Sequence, residues 1–108
     1  GEVNNVAILA GIIGAKKTSE LIPLCHNIKI ENIDINIKKN KINSSLIVTA
    51  TVSANAKTGV EMESLTAVSI ACLTIYDMCK SLDKKITINN IRLIKKTGGK
   101  SNIKISQT

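Results

Sequence analysis

Two runs of alternating apolar and polar residues, joined by a short polar turn, constrain this 108-residue chain more than any other feature. In NIKIENIDINIKK, Ile28 and Ile30 alternate with polar neighbours, and Ile33, Ile35 and Ile37 resume the alternation one residue out of phase. A change of phase inside one period-two run marks a strand with a β-bulge. After the turn-forming residues Asn40 to Ser45, Leu46, Val48, Ala50 and Val52 alternate with Ile47, Thr49, Thr51 and Ser53. The pair reads as a hairpin with one buried face, and such a face needs a second layer to cover it.

Helical periodicity supplies that layer. From Glu61 to Leu82 the apolar residues Met62, Leu65, Val68, Cys72, Ile75, Tyr76, Cys79 and Leu82 recur mostly at three and four, the spacing of an amphipathic helix. An earlier segment, Val6 to about Ser19, mixes Val6, Ile8, Ile12 and Ile13 with Gly11 and Gly14. Each glycine costs about 1 kcal/mol against alanine inside a helix, but small residues permit close packing. This helix is expected to end before Pro23, whose ring disfavours helical geometry in the preceding residue. A last strand is expected from about Lys85 to Ile94, changing phase at Asn89 and Asn90, with brief β character again at Ile103 and Ile105. The order matches a βαββαβ unit without its first strand, an α+β ferredoxin-like sandwich with an antiparallel sheet and two helices on one face.

At this length one domain is expected, so any site shares the only core. Aromatic residues make up 1% of the chain, Tyr76 alone, so aliphatic side chains must fill that core. No apolar stretch approaches the roughly 20 residues that cross a bilayer, and no signal-like segment precedes the first helix. The net charge of +7 favours an anionic partner or a solvated surface and does not choose between them. Cys25, Cys72 and Cys79 form no CxxC pair, which speaks against a disulfide framework or a zinc finger. On one helix, Cys72 and Cys79 would stand about 10 Å apart, beyond disulfide reach.

Several groups can carry chemistry. Asp77 and Lys80, three residues apart, share one helix surface and can exchange a proton, although an isolated pair of this kind is ordinarily an exposed ion pair. Glu61 and Glu63 open the long helix, where its dipole favours negative charge. Carboxylates two residues apart face different directions, leaving one for a ligand. His26, next to Cys25 after the first helix, lacks neighbours at metal-ligand spacing and suits a substrate contact better. KKTGGKS combines Lys95, Lys96 and Lys100 with Gly98 and Gly99, a cationic segment that backbone N–H groups could extend towards phosphate, but it is not a P-loop.

Four ordered motifs draw these residues together: KKTSELIPLCH (Lys16 to His26), KTGVEME (Lys57 to Glu63), LTIYDMCK (Leu73 to Lys80) and KTGGKS (Lys96 to Ser101). The set resembles the molybdenum cofactor biosynthesis protein C family, the cyclic pyranopterin monophosphate synthases. That resemblance implies a cofactor-free lyase that converts 3',8-cyclo-7,8-dihydro-GTP to cyclic pyranopterin monophosphate with loss of pyrophosphate. It implies Asp77 and Lys80 as the catalytic pair, with Leu24, Cys25, His26, Glu61, Met62 and Glu63 as substrate contacts. Lys16, Lys17, Lys96 and Lys100 correspond to cationic contacts for the triphosphate. It further implies a homohexamer, a trimer of dimers with sites at subunit boundaries, acting in the cytoplasm or an organelle and binding neither nucleic acid nor membrane.

Three local departures stand out. Asn27, Cys72 and Asn102 occupy positions where the family usually has proline, alanine and glycine. The resemblance also implies a preceding segment that carries the first strand and an active-site lysine, so residues 1–108 are expected to be an N-terminally incomplete domain. The alternatives are a catalytically silent subunit that binds phosphorylated pterin or a fuller partner chain, and a nucleic-acid module. Sheet-based RNA readers stack bases on aromatic residues, which this chain lacks on its strands.

Overall fold

A computed structural model describes residues 1–55, 59–97 and 102–107, with residues 95–97 and 102–107 as backbone only. The first helix, α1, spans Glu2–Lys16 and is followed after Lys17 by the single turn α2, Thr18–Leu21. The continuous helix expected to about Ser19 is therefore broken in two. The Thr18 hydroxyl donates to the carbonyls of Ala15 (2.8 Å) and Gly14 (3.2 Å), closing the last turn of α1 from the side.

Strands β1 (Ile30–Asn40) and β2 (Ser45–Ala54) form the expected hairpin, in antiparallel register from Ile30 opposite Ala54 to Asn40 opposite Ser45. The register shifts between Ile30 and Asn32, where the alternation changes phase. Asn40 Oδ1 accepts the Ile42 amide at 3.0 Å, and Ser44 takes a positive φ of 53°, which together reverse the chain.

Helix α3 spans Glu61–Cys79 and stops before Leu82, which is 86% exposed. Its buried face also differs from the sequence pattern. Ser64, Thr66, Ala67, Val68, Ala71 and Cys72 are buried, whereas Leu73 and Tyr76 face solvent. The reason is α1, whose Gly11 brings the α3 backbone so close that the small Ala67 and Ala71 face it, while Gly14 receives the Ile70 side chain. The core lies between this helix pair and the inward side of β2, where Val48, Ala50, Val52 and Ala54 are buried. Burying each valine side chain contributes about 1.5–3 kcal/mol.

The expected strand at Lys85 to Ile94 is corrected by the structure. Lys85 to Asn90 follow no regular element, Asn90 has a φ of 61°, and β3 begins at Arg92 and runs to Thr97. Strand β4, Asn102–Gln107, contains the residues read as briefly β-like. The sheet order is β1-β2-β4-β3, with every pairing antiparallel. β4 thus sits between β2 and β3, the slot that a βαββαβ unit gives to its first strand, and the four-stranded ferredoxin-like layout is filled. Local periodicity cannot reveal that pairing, because it joins strands about fifty residues apart.

Candidate active site

The backbone that leaves α2 turns sharply through Ile22 to Ile28. The Cys25 amide donates to the Ile22 carbonyl at 3.2 Å, and Leu24 holds a positive φ of 69° while fully exposed. This left-handed conformation is favoured by glycine and costly for a leucine, and strain of this kind gathers at ligand sites. On the other side of the same depression stands the first turn of α3, which carries the positive end of the helix dipole.

Between loop and helix lies a cavity of about 300 Å³ lined by Leu24, Cys25, His26, Glu61, Met62 and Glu63. All six residues assigned to substrate contact by the motif resemblance are brought to one place. Ile22, Pro23, Ile28 and Gly59 complete the wall; the sequence marks Pro23 as a helix terminator and Ile28 as a strand residue, and neither signal points to a site.

The two glutamates diverge as their spacing requires. Glu63 is only 3% exposed, and burial raises its carboxyl above the usual range, opposed by a hydrogen bond from its own backbone N–H and reinforced by the charge of Glu61. The N-cap residue itself, Val60, has no side chain that can accept an amide of this turn. The Cys25 thiol is likewise raised, first by burial and then by the charges of Glu63 and Glu61. The cavity therefore favours a protonated thiol over an activated thiolate, and a carboxyl that holds its proton more readily than an exposed one. Groups of three or more potential metal ligands are absent among the described residues.

Asp77 and Lys80 lie at the opposite end of α3. The Lys80 ammonium donates to Asp77 Oδ1 at 2.9 Å, and that hydrogen bond, followed by the Asp77 charge, raises the Lys80 pKa. Both are open to water, in the company of exposed Leu73 and Tyr76. From Met62 to Asp77 the helix climbs fifteen residues, or about 22 Å at 1.5 Å per residue. Within one copy of the chain this ion pair and the cavity stand apart.

Of the cationic residues, Lys16 and Lys17 are described with their side chains, and neither lines this cavity. Lys16 lines a separate depression with Ile12, Ile30 and Glu31, and Lys17 is exposed beside it. Lys96 is on β3, its side chain outside the described residues, and Lys100 also falls outside them, as does Lys57 of the second motif.

A ferredoxin-like sandwich with a loop-and-helix cavity at one end of its central helix and an exposed Asp77–Lys80 ion pair at the other defines an α+β subunit. The chain matches the MoaC family over residues 1–99 and belongs to that family. It is 55% identical over 101 residues to the cyclic pyranopterin monophosphate synthase of Clostridium acetobutylicum and 52% identical to that of Heliobacterium modesticaldum, covering 94% of this chain in each case. It is also 53% identical over 100 residues to molybdenum cofactor biosynthesis protein 1 of Drosophila melanogaster, covering 93% of this chain and 18% of the fly protein. The chain spans 63–64% of the length of the two bacterial relatives.

Proposed function

We propose that this chain serves molybdenum cofactor biosynthesis as a cyclic pyranopterin monophosphate synthase, a lyase acting on 3',8-cyclo-7,8-dihydro-GTP with release of pyrophosphate. The observation that carries this reading is the gathering of Leu24, Cys25, His26, Glu61, Met62 and Glu63 around one cavity. Its bacterial relatives are cyclic pyranopterin monophosphate synthases, which supports this assignment.

The site works in two parts. The cavity holds the pterin portion, with the half-hydrophobic wall of Met62 and Leu24 against the ring and His26 and the glutamates at its polar edge. Asp77 and Lys80 perform the acid–base steps, Asp77 accepting and Lys80 returning protons while the lysine charge offsets the departing pyrophosphate. Lys16, Lys17, Lys96 and Lys100 supply the remaining charge for the triphosphate.

Because about 22 Å of helix separates the two parts, a working site needs the Asp77–Lys80 end of one copy against the cavity of another. A two-fold axis across α3 accomplishes this twice over, in keeping with an isologous dimer and, at the next level, a hexamer built as a trimer of dimers. Leu24, Leu73 and Tyr76 then become interface residues, which accounts for apolar side chains left in water by a single copy. A cytoplasmic location completes the reading. Helix α3 has the length and hydropathy of a membrane span, but its Ser64, Ala67, Val68 and Ala71 face is the packed centre of the fold.

The test supplies the purified chain with 3',8-cyclo-7,8-dihydro-GTP and measures pyrophosphate and cyclic pyranopterin monophosphate, with Asp77→Asn alongside. Turnover that disappears in the variant is the expected result. Equal turnover in the variant removes Asp77 from the chemistry, and silence from the unaltered chain favours a subunit that binds without catalysing.

A further inference from the structure

The proposed reaction uses lysines at 16, 17, 80, 96 and 100, yet another cationic group lies elsewhere. Lys38, Lys39 and Lys41 crowd the β1–β2 turn, and Lys84 and Lys85 stand in the segment after α3. All five are exposed, and none is drawn into an ion pair among the described residues. Of these, Lys39, Lys41 and Lys85 line two depressions, where their positive charge would favour an incoming anion.

The groups flank a pair of adjoining depressions. One, about 510 Å³, is lined by Lys39, Lys41, Ser44, Ser45 and Leu46. The other, about 670 Å³, shares Ser44, Ser45 and Leu46 and reaches Lys85 on its far side. Its floor is apolar, made by Leu46, Ile75 and Ile86, and its rim carries the hydrogen-bonding side chains of Asn43, Thr87 and Asn89. The one carboxylate on the rim, Asp83, accepts the Lys85 amide at 2.8 Å and so is engaged with its own loop. Small-molecule sites are typically concavities of about 300–1,000 Å³ that combine an apolar floor with a few converging polar groups.

This groove is distinct from the catalytic parts. Ile75 and Cys79, which line it, are four residues apart and share one face of α3. Asp77 and Lys80 project from the other side of that helix, and the Glu63 cavity is at its far end.

We propose that the groove between the β1–β2 turn and residues 83–89 is a second site, for a phosphorylated small molecule of nucleotide size. Phosphate sits among Lys39, Lys41 and Lys85, hydroxyl groups meet Asn43, Ser45 and Thr87, and a flat apolar portion covers Leu46, Ile75 and Ile86. The apolar floor favours a discrete ligand over a nucleic-acid strand, because no aromatic side chain lines the groove to stack successive bases.

Cys79, a half-buried free thiol inside the groove, provides a local probe. The full chain is titrated calorimetrically with ATP, inorganic tripolyphosphate and an oligothymidylate of about ten nucleotides, a length within the usual single-strand site size. Alkylation of Cys79 is followed by peptide mass spectrometry with and without ATP. The expected result is ATP binding that slows Cys79 alkylation and that weakens at least about tenfold in Lys41→Gln/Lys85→Gln, the loss expected from removing charged hydrogen bonds to phosphate. Tripolyphosphate, which has no flat apolar portion, should bind more weakly than ATP. Both substituted residues are exposed, so an unchanged melting temperature confirms that the double variant folds. The proposal is overturned by absent ATP binding, by equal affinity in the double variant, by Cys79 alkylation indifferent to ATP, or by tripolyphosphate binding as tightly as ATP. Oligothymidylate binding tighter than ATP through the same lysines would also overturn it, as the mark of a strand-binding surface.

Discussion

A Cβ placed on Gly11 of α1 would stand 2.9 Å from the backbone carbonyl oxygen of Ala67 on α3 and 2.5 Å from Ile35 Cδ1. The two main helices meet backbone against backbone, and the sheet reaches the same point through Ile35. Alanine ordinarily stabilises a helix by about 1 kcal/mol relative to glycine. Here the carbonyl cannot withdraw without moving α3, and overpacking of this kind costs about 1–3 kcal/mol. Gly11→Ala is expected to lower the melting temperature by about 5 °C or more. Gly14→Ala should cost less, because its nearest neighbour at 2.8 Å is Cγ1 of the Ile70 side chain. Thermal unfolding of the two variants checks the ranking, and equal melting temperatures would disprove it.

That contact also explains what the sequence conceals. The β1–β2 hairpin is legible because period-two alternation is a local signal, and even the shift between Ile30 and Asn32 follows from the phase change in the run. Asn90, by contrast, takes a left-handed backbone that helps to keep Lys85 to Asn90 out of the sheet, a conformation its type permits but does not require. Which side of α3 is buried depends on how near α1 comes, so the larger Leu73 and Tyr76 remain outside while Ser64 and Ala71 go in. Of the six cavity residues, His26 and the Glu61–Glu63 pair are legible from residue type and spacing, whereas Leu24, Cys25 and Met62 are legible only as motif members. Nothing in their spacing says that a loop at residues 22–28 closes over the helix start at Glu61, or that Asp77 stands at the other end.

Glu63 should make stability depend on pH. Burial raises its folded-state pKa above the ordinary 4.5. A carboxyl with a raised folded pKa stabilises the fold most below the unfolded value, and that contribution is lost as pH rises through the folded value. Glu63→Gln resembles the protonated acid at every pH. The variant is therefore expected to match the unaltered chain near pH 4 and to melt at a higher temperature near pH 8. Melting curves at both values decide the matter; a variant less stable at pH 8 would show that the charged carboxylate has a stabilising partner.

The three thiols should differ in reactivity. Burial pushes Cys72 up to about 11, so it should resist alkylation at pH 8 until the protein unfolds. Cys25 is raised by burial and then by the neighbouring charges of Glu63 and Glu61. Removing one of those charges in Glu63→Gln lowers the thiol pKa and should accelerate Cys25 alkylation at pH 8. Peptide-resolved mass spectrometry measures each cysteine separately. An unchanged Cys25 rate in the variant would place the Glu63 charge too far away to matter.

Division of the site along α3 makes a prediction that a self-contained active site does not share. Asp77→Asn and Glu63→Gln damage opposite ends of the helix, and each is expected to reduce turnover by about 10²-fold or more, the first by removing an acid–base group and the second by altering a substrate contact. In a two-fold dimer that joins one variant to the other, both substitutions fall in one shared site and the second site is intact. Mixing the variants under conditions of subunit exchange should therefore restore activity to about a quarter of the unaltered level, since half of the dimers are mixed and each has one sound site. Assays before and after exchange provide the comparison. Recovery would locate the Asp77–Lys80 pair and the Glu63 cavity on different copies of one site, whereas persistent inactivity after confirmed exchange would require both ends to act within a single chain, against the roughly 22 Å of helix that separates them.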